Sequence, residues 1–115
     1  MSKSNVVYII RDLNSKKQRF KIGKHTGTKS QLIKRYQTYI PELEIELFLE
    51  TSYAHQVELD AKRHFKDHMI ALNGGTKSEW CTDSLKTIKE YIILTDNRYN
   101  GIHHEVTIHL SLIHI

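Results

Sequence analysis

The sequence is poor in the residues that cross-link or interrupt a chain. Its 115 residues include one cysteine, Cys81, and one proline, Pro41. A single cysteine excludes an internal disulfide and suits a reducing compartment, so we expect a cytoplasmic protein. The sequence contains no apolar run long enough to cross a bilayer, and residues 1–5 lack the apolar stretch of a signal peptide. We therefore expect one compact domain that has no membrane partner.

Acidic residues are almost absent from the first third of the chain. Residues 1–40 contain ten Lys or Arg and a single acid, whereas residues 41–115 contain seven basic and twelve acidic side chains. Because each cation placed near a phosphate releases a condensed counterion, this asymmetry is typical of a surface that binds a polyanion. A solvated basic hairpin explains the same charge equally well. If the polyanion is DNA, the contacts predicted in this region are Lys16, Lys17, Arg19, Lys24, His25, Lys29 and Lys34.

The spacing of apolar residues predicts three strands and three helices. Strands are expected where apolar residues alternate or fill a short run, and helices where they recur every three or four residues. The order β-β-α-β-α-α implies an α+β fold, a small three-stranded antiparallel sheet flanked by three helices. We expect this fold to form a single domain over residues 1–94. The predicted strands cover 5–12, 20–24 and 43–50, and the predicted helices cover 27–40, 52–72 and 83–94.

Two of the strands carry patterns that predict how they are buried. The first has apolar side chains at both odd and even positions, which is typical of a central strand covered on both faces. The third alternates apolar and acidic residues, so its aliphatic side chains are expected on one inward face. These aliphatic residues are Leu43, Ile45, Leu47 and Leu49.

Residues 95–115 do not continue the pattern of the domain, and we interpret them as a C-terminal tail. The last six letters, LSLIHI, match the translation of a transposon-end adapter used in sequencing libraries. We therefore expect that the reading frame runs into an artefact there. A genuine apolar strand is the alternative.

Two familiar kinds of site are weak matches. The stretch GKHTGTKS resembles a P-loop, but an extra residue separates Gly27 from Lys29, and the loop depends on fixed spacing. His64 and His68 lie one helical turn apart and Cys81 follows, which suggests zinc. Since the chain has eight histidines, accidental pairs are common, and we interpret these two as surface residues.

A third set of residues has the chemistry needed to cut a phosphodiester. Tyr8 lies in the first predicted strand, Lys21 in its hairpin partner, Arg35 in the first helix and Glu58 in the second. A phenol can position or deprotonate a water molecule. Lysine and arginine can stabilise charge on phosphate oxygens, and a carboxylate can hold one divalent metal.

The same residues resemble the motifs of the GIY-YIG nuclease superfamily. The resemblance is to its phage, bacterial and large-virus branch of DNA-binding domains. VVYII (6–10) resembles the first half-motif, and FKIGKH (20–25) resembles the second, with KIG in place of YIG. LIKRY (32–36) supplies a helix arginine, and VELDAKRHF (57–65) supplies a helix glutamate. SEW (78–80) resembles the closing Glu-aromatic element of that branch.

The resemblance implies a metal-dependent DNA endonuclease. Tyr8 is then the general base or the group that positions the attacking water, and Lys21 replaces the second tyrosine beside the scissile phosphate. Arg35 stabilises the transition state. Glu58 binds one divalent metal, Mg²⁺ or Mn²⁺.

Each of these residues also has a purely structural explanation. Tyr8 could be a core aromatic, Lys21 could lie on a solvated strand face, and Arg35 could extend from the edge of an apolar stripe. Glu58 could pair with Lys62, one helical turn further on. Two other functions therefore stay open: a catalytically inactive DNA-binding module of the same fold, and a protein-interaction domain.

Overall fold

The computed structural model describes residues 4–71 and 77–103 of the chain. Within them, five antiparallel strands form one sheet in the order β3-β1-β2-β5-β4, with three α-helices packed around it. The elements in chain order are β1 (Asn5–Asp12), β2 (Phe20–Thr26), α1 (Lys29–Gln37), β3 (Leu43–Glu50), α2 (Ala54–His64), a 3₁₀ turn (Lys66–His68), β4 (Met69–Ala71), β5 (Lys77–Cys81) and α3 (Leu85–His103).

The prediction of a three-stranded sheet is wrong, because β4 and β5 extend the sheet beyond β2. Helix α2 ends at His64 rather than continuing to residue 72, and the chain passes through the 3₁₀ turn into β4. Met69 continues the helical spacing of Phe65, so the sequence pattern hides the change. A strand of three residues is also too short to display an alternation of its own. The extended stretch at 78–81 was predicted, but its pairing with β2 was not.

The central position predicted for β1 is confirmed. It pairs with β3 on one side and with β2 on the other. Its odd apolar residues, Val7 and Ile9, pack in a core with α2 and α3, while Tyr8 and its even neighbours pack in a second core with α1. The sheet therefore separates α1 from α2, and each helix covers a different face.

The aliphatic residues of β3 do not share one face as predicted. The register shifts so that Ile9 pairs with Leu47 and Ile10 pairs with Ile45, which leaves Glu46 as an extra residue in β3. Such a bulge inverts the alternation that follows it. Leu43 and Ile45 consequently pack on the α1 side, whereas Leu47 and Leu49 pack on the α2 side.

Helix α1 begins with a side-chain cap. The Thr28 hydroxyl accepts a hydrogen bond from the backbone N–H of Gln31, and the Gln31 side chain accepts one from the backbone N–H of Thr28. This capping box satisfies two N–H groups that the helix leaves without partners. At the other end, the N–H of Ile40 donates to the carbonyl of Tyr36, immediately before Pro41. The helix is shorter at both ends than its predicted range.

Helix α3 continues past its predicted end at Leu94 to His103. The added turns pack on α2, since Tyr99 stacks on Tyr53 at 5.5 Å and donates a 2.6 Å hydrogen bond to Asp60. The adapter-like residues at 110–115 lie outside the described residues. Across 4–71 and 77–103, none of the helices has the length and apolar character needed to span a bilayer.

Candidate functional site

The C-terminal half of β2 forms an edge where the two faces of the sheet meet. In the described residues, β5 pairs with β2 at Phe20 and Lys21, near the start of the strand. Further along β2, Nη1 of Arg35 in α1 donates a 3.2 Å hydrogen bond to the carbonyl of Lys24. Since α1 and α2 lie on opposite faces, this edge is where side chains of both helices can reach the same space.

A cavity of about 440 Å³ lies at this edge, and we call it the edge pocket. Its lining includes cationic and hydrogen-bonding side chains. It is formed by the starts of β1 and α2, the end of β2 and one residue of α1. The lining residues are Asn5, Lys24, His25, Thr26, Arg35, Ser52, Ala54 and His55.

Polar contacts order the side chains of the edge pocket. The Lys24 ammonium lies 2.9 Å from Nδ1 of His55. Because an ammonium can only donate, Nδ1 accepts, and the neutral His55 ring carries its proton on Nε2. His25 donates from Nε2 to the carbonyl of Thr28 at 3.2 Å. Together with Arg35, these groups give the pocket a positive lining.

A second group of residues surrounds Tyr36 on the α1 face, and we call it the Tyr36 cluster: Tyr8, Lys21, Arg35, Tyr36 and Trp80. The hydroxyls of Tyr8 and Tyr36 form a 2.5 Å hydrogen bond, and their rings meet edge to face at 5.9 Å. The Lys21 ammonium lies 5.6 Å from the Tyr36 ring centroid and 5.5 Å from that of Trp80. The Arg35 guanidinium carbon lies 5.0 Å from the Tyr36 ring.

The position of Tyr8 depends on Gly23. These two residues face each other across β1 and β2, and a Cβ atom at Gly23 would lie 2.3 Å from the Tyr8 hydroxyl oxygen. The phenol therefore passes directly over the glycine, and no larger residue fits beneath it. Tyr8 itself is 0% exposed, as the core-aromatic explanation requires.

Glu58 lies on α2, one helical turn beyond the two residues of that helix that line the edge pocket. Residues three and four apart share a helix face, which places Glu58 beside Ala54 and His55. Its side chain is 11% exposed, and one carboxylate oxygen lies 3.3 Å from the Lys62 ammonium. The ion pair considered in the sequence analysis is therefore present.

The structure brings three of the four predicted catalytic residues into contact with one side chain. Tyr8, Lys21 and Arg35 all touch Tyr36, and Arg35 also lines the edge pocket. Glu58 approaches from the opposite face of the sheet through α2, and it is not among the pocket-lining residues or the Tyr36 cluster. Glu58 therefore lies apart from the other three predicted catalytic residues, on the α2 side of the sheet.

The predicted DNA-binding residues fall into separate regions of the surface. Lys24 and His25 line the edge pocket, while Lys29 and Lys34 lie exposed on α1. The remaining cations, Lys16, Lys17 and Arg19, lie at or before the start of β2. From Arg19 to Lys24 the strand rises roughly 17 Å, at about 3.3 Å per residue. Arg19 instead contacts Trp80, with its guanidinium carbon 4.8 Å from the ring. Trp80 belongs to the predicted SEW element, whose Glu79 side chain lies outside the described part.

The three residues considered for zinc have different partners. His64 stacks on Tyr91 at 4.0 Å, and Nε2 of His68 lies 3.8 Å from an Asp83 carboxylate oxygen. Cys81 is buried, and burial raises the pKa of its thiol. Within the described residues, no group of three or more His, Cys, Asp or Glu could hold a metal ion.

Two residues of this site were missed by the sequence analysis. Tyr36 directly follows Arg35 in LIKRY, but that motif was considered only for its arginine. His55 was not singled out at all; its place one turn before Glu58 was the available signal. Both owe their positions to contacts with residues far away in the sequence.

The fold and site define a small α+β domain with a cationic pocket at a sheet edge. The T5orf172 domain family matches residues 5–96, and the chain belongs to this family of phage- and virus-associated domains, some of which are nuclease-like. Two proteins of Acanthamoeba polyphaga mimivirus, "Uncharacterized protein R9" and "Uncharacterized protein R10", are 42% and 39% identical to this chain over 64 residues. That stretch covers 56% of this chain and 17% of each relative. No solved structure matches the chain.

Proposed function

We propose that this domain binds DNA and hydrolyses a phosphodiester bond, as the GIY-YIG resemblance implies. The observation that carries the proposal is the position of Arg35. Its guanidinium donates to the Lys24 carbonyl at the edge pocket and also lies 5.0 Å from the Tyr36 ring. One side chain thus joins the cationic pocket to the phenol cluster, which favours a single continuous site.

The edge pocket supplies phosphate contacts. Lys24 and Arg35 supply cationic side chains, and His25 and His55 add polar ring nitrogens. In an antiparallel strand, the N–H and the C=O of one residue point to the same side, and successive residues alternate between the two sides. The Lys24 carbonyl accepts from Arg35 at this edge of β2, so the Lys24 N–H points to the same edge. Charged side chains combined with a backbone donor form a typical phosphate site.

Lys21 and Arg35 stabilise the charge that develops on the phosphate oxygens. Both cations are held at fixed positions against the Tyr36 ring, and Lys21 is also held by Trp80. Cations fixed before the reaction stabilise a transition state without the cost of reorganising water. The phenols of Tyr8 and Tyr36 supply the group that orients the attacking water.

Glu58 is the residue that would hold a divalent metal. An oxygen donor suits Mg²⁺ or Mn²⁺, and Mg²⁺ accepts one carboxylate when water and substrate phosphates complete its coordination. The lack of a larger acidic cluster in the described residues fits this kind of site. When bound, such an ion supplies Lewis acidity to a phosphate oxygen. Lys62 forms an ion pair with the Glu58 carboxylate and would compete with a metal for it.

Two observations favour the second candidate, a DNA-binding module that does not cleave. Glu58 is already paired with Lys62, and the Tyr8 phenol is completely buried. Both features agree with a domain in which the catalytic positions have become structural while the cationic pocket still binds phosphates.

A plasmid-nicking assay in Mg²⁺ separates the two candidates. We expect nicking by the wild-type domain and a loss of at least about 100-fold for Glu58→Gln, which removes the charge but keeps the shape. Glu90→Gln, at an exposed position of α3, is the matched control and should cleave normally. Wild-type protein that binds the plasmid without nicking it would establish the non-cleaving module.

A further inference from the structure

The two hydrogen-bonded tyrosines, Tyr8 of the first half-motif and Tyr36, differ in their exposure to solvent. Tyr8 is 0% exposed, and Gly23 lies directly beneath its hydroxyl. Tyr36 is partly exposed and contacts Tyr8 through a 2.5 Å hydrogen bond between the two hydroxyls. Between these two hydrogen-bonded phenols, solvent access therefore favours Tyr36.

The cations of the site are also centred on Tyr36. The Lys21 ammonium and the Arg35 guanidinium carbon lie 5.6 Å and 5.0 Å from its ring. A phosphate drawn to these two cations therefore approaches the Tyr36 ring. Arg35 also connects this position to Lys24 in the edge pocket.

We propose that Tyr36 is the phenol that contacts the scissile phosphate and its attacking water, and that Tyr8 is a positioning residue that acts through it. The hydrogen bond from Tyr8 fixes the Tyr36 hydroxyl on one side. A hydroxyl offers one donor and two acceptor positions, so Tyr36 retains hydrogen-bonding capacity for the substrate. This inference rests on the proposed function, because it assigns a role within the same site.

Single-turnover cleavage of a DNA duplex in Mg²⁺ distinguishes the roles of the two tyrosines. We expect Tyr36→Phe to lower the rate constant at least about 100-fold, which is the lower range for loss of a group that acts on the reacting water. Tyr8→Phe should lower it less, by about 10-fold, since the Tyr36 hydroxyl remains but is less well fixed. The pH dependence of the rate should change in Tyr36→Phe and persist in Tyr8→Phe, which a purely structural role does not explain.

The matched control is Tyr39→Phe, on the exposed turn that follows α1. Tyr39 is 81% exposed and belongs to neither the edge pocket nor the Tyr36 cluster. It should cleave within twofold of wild type. Far-UV circular dichroism and DNA affinity in Ca²⁺ should be the same for all three variants, which establishes that each is folded. A wild-type rate in Tyr36→Phe together with a loss in Tyr8→Phe would overturn the assignment.

A binding measurement decides the same question if the wild-type domain does not cleave. With tyrosine labelled at ¹³Cζ, addition of a short duplex in Ca²⁺ should shift the Tyr36 resonance more than that of Tyr8. A domain that binds the duplex without moving the Tyr36 resonance overturns this inference alone. A domain that fails to bind the duplex overturns the proposed function and this inference together.

Discussion

Replacing Gly23 with alanine tests how tightly the two half-motifs are packed together. The added Cβ would lie 2.3 Å from the Tyr8 hydroxyl oxygen and 2.4 Å from the adjacent ring carbon. Real Cβ contacts are not this short, so the phenol has to move. The Tyr8 side chain is fully buried on the α1 face of the sheet. Its displacement also breaks the hydrogen bond between the Tyr8 and Tyr36 hydroxyls.

The expected loss of stability follows from three terms. Overpacking a core costs about 1–3 kcal/mol, and losing one hydrogen bond costs about 0.5–1.5 kcal/mol. Alanine offsets roughly 0.4–1 kcal/mol of this loss in the free energy of unfolding, because it restricts the unfolded chain more than glycine does. These terms give a net loss of about 2 kcal/mol, within a range of roughly 0.5–4 kcal/mol. For a domain of this size it lowers the melting temperature by roughly 8–16 °C.

Thermal and urea unfolding of four variants completes the test. Tyr8→Leu removes the three side-chain atoms that the new Cβ would meet. In the double variant, Gly23→Ala should therefore cost less stability than in the wild type, with a coupling energy of about 1 kcal/mol or more. Gly101→Ala is the control, because a Cβ there meets nothing within 4 Å in α3. It should leave stability unchanged or raise it by up to about 1 kcal/mol. A Gly23→Ala variant as stable as wild type would refute the packing described for Tyr8.

Three further predictions concern other parts of the domain. Thr28→Ala removes the α1 cap and should cost about 1 kcal/mol in urea unfolding, whereas Thr28→Ser should not; equal losses would contradict the capping box. Cys81 should react slowly with Ellman's reagent when folded. Because burial raises the pKa of its thiol above 9.0, its contribution to stability should be complete below pH 9 and decline at higher pH; rapid labelling of folded protein would contradict its burial. Lys62→Met should strengthen Mn²⁺ binding at Glu58 several-fold by calorimetry, and unchanged affinity would show that the ion pair does not compete with a metal.

The elements that could be predicted from sequence are those with long, regular apolar patterns. The bounds of β1 and β3 agree with the predicted 5–12 and 43–50, since each strand has eight residues and a clear pattern. The two-sided burial of β1 was also predicted. The three helices were found, although each had different ends in the structure.

The features that were missed depend on distant contacts or on very short segments. Strand β4 continues the helical spacing of α2, and the bulge at Glu46 inverts an alternation that appears regular in the sequence. Tyr36 pairs with Tyr8 across 28 residues, and His55 pairs with Lys24 across 31. Neither pairing leaves a local pattern, so only the folded arrangement reveals that these residues belong to the site.

The salt dependence of DNA binding by Arg35→Gln tests the central claim most directly, because Arg35 joins the edge pocket to the Tyr36 cluster. If Arg35 contacts a phosphate, the slope of log K against log salt should fall by about 0.9, and affinity should drop for every duplex sequence. Arg98→Gln, which removes the same charge from an exposed position of α3, should change the slope much less. Equal slopes for wild type and Arg35→Gln would contradict a phosphate site at this edge of the sheet.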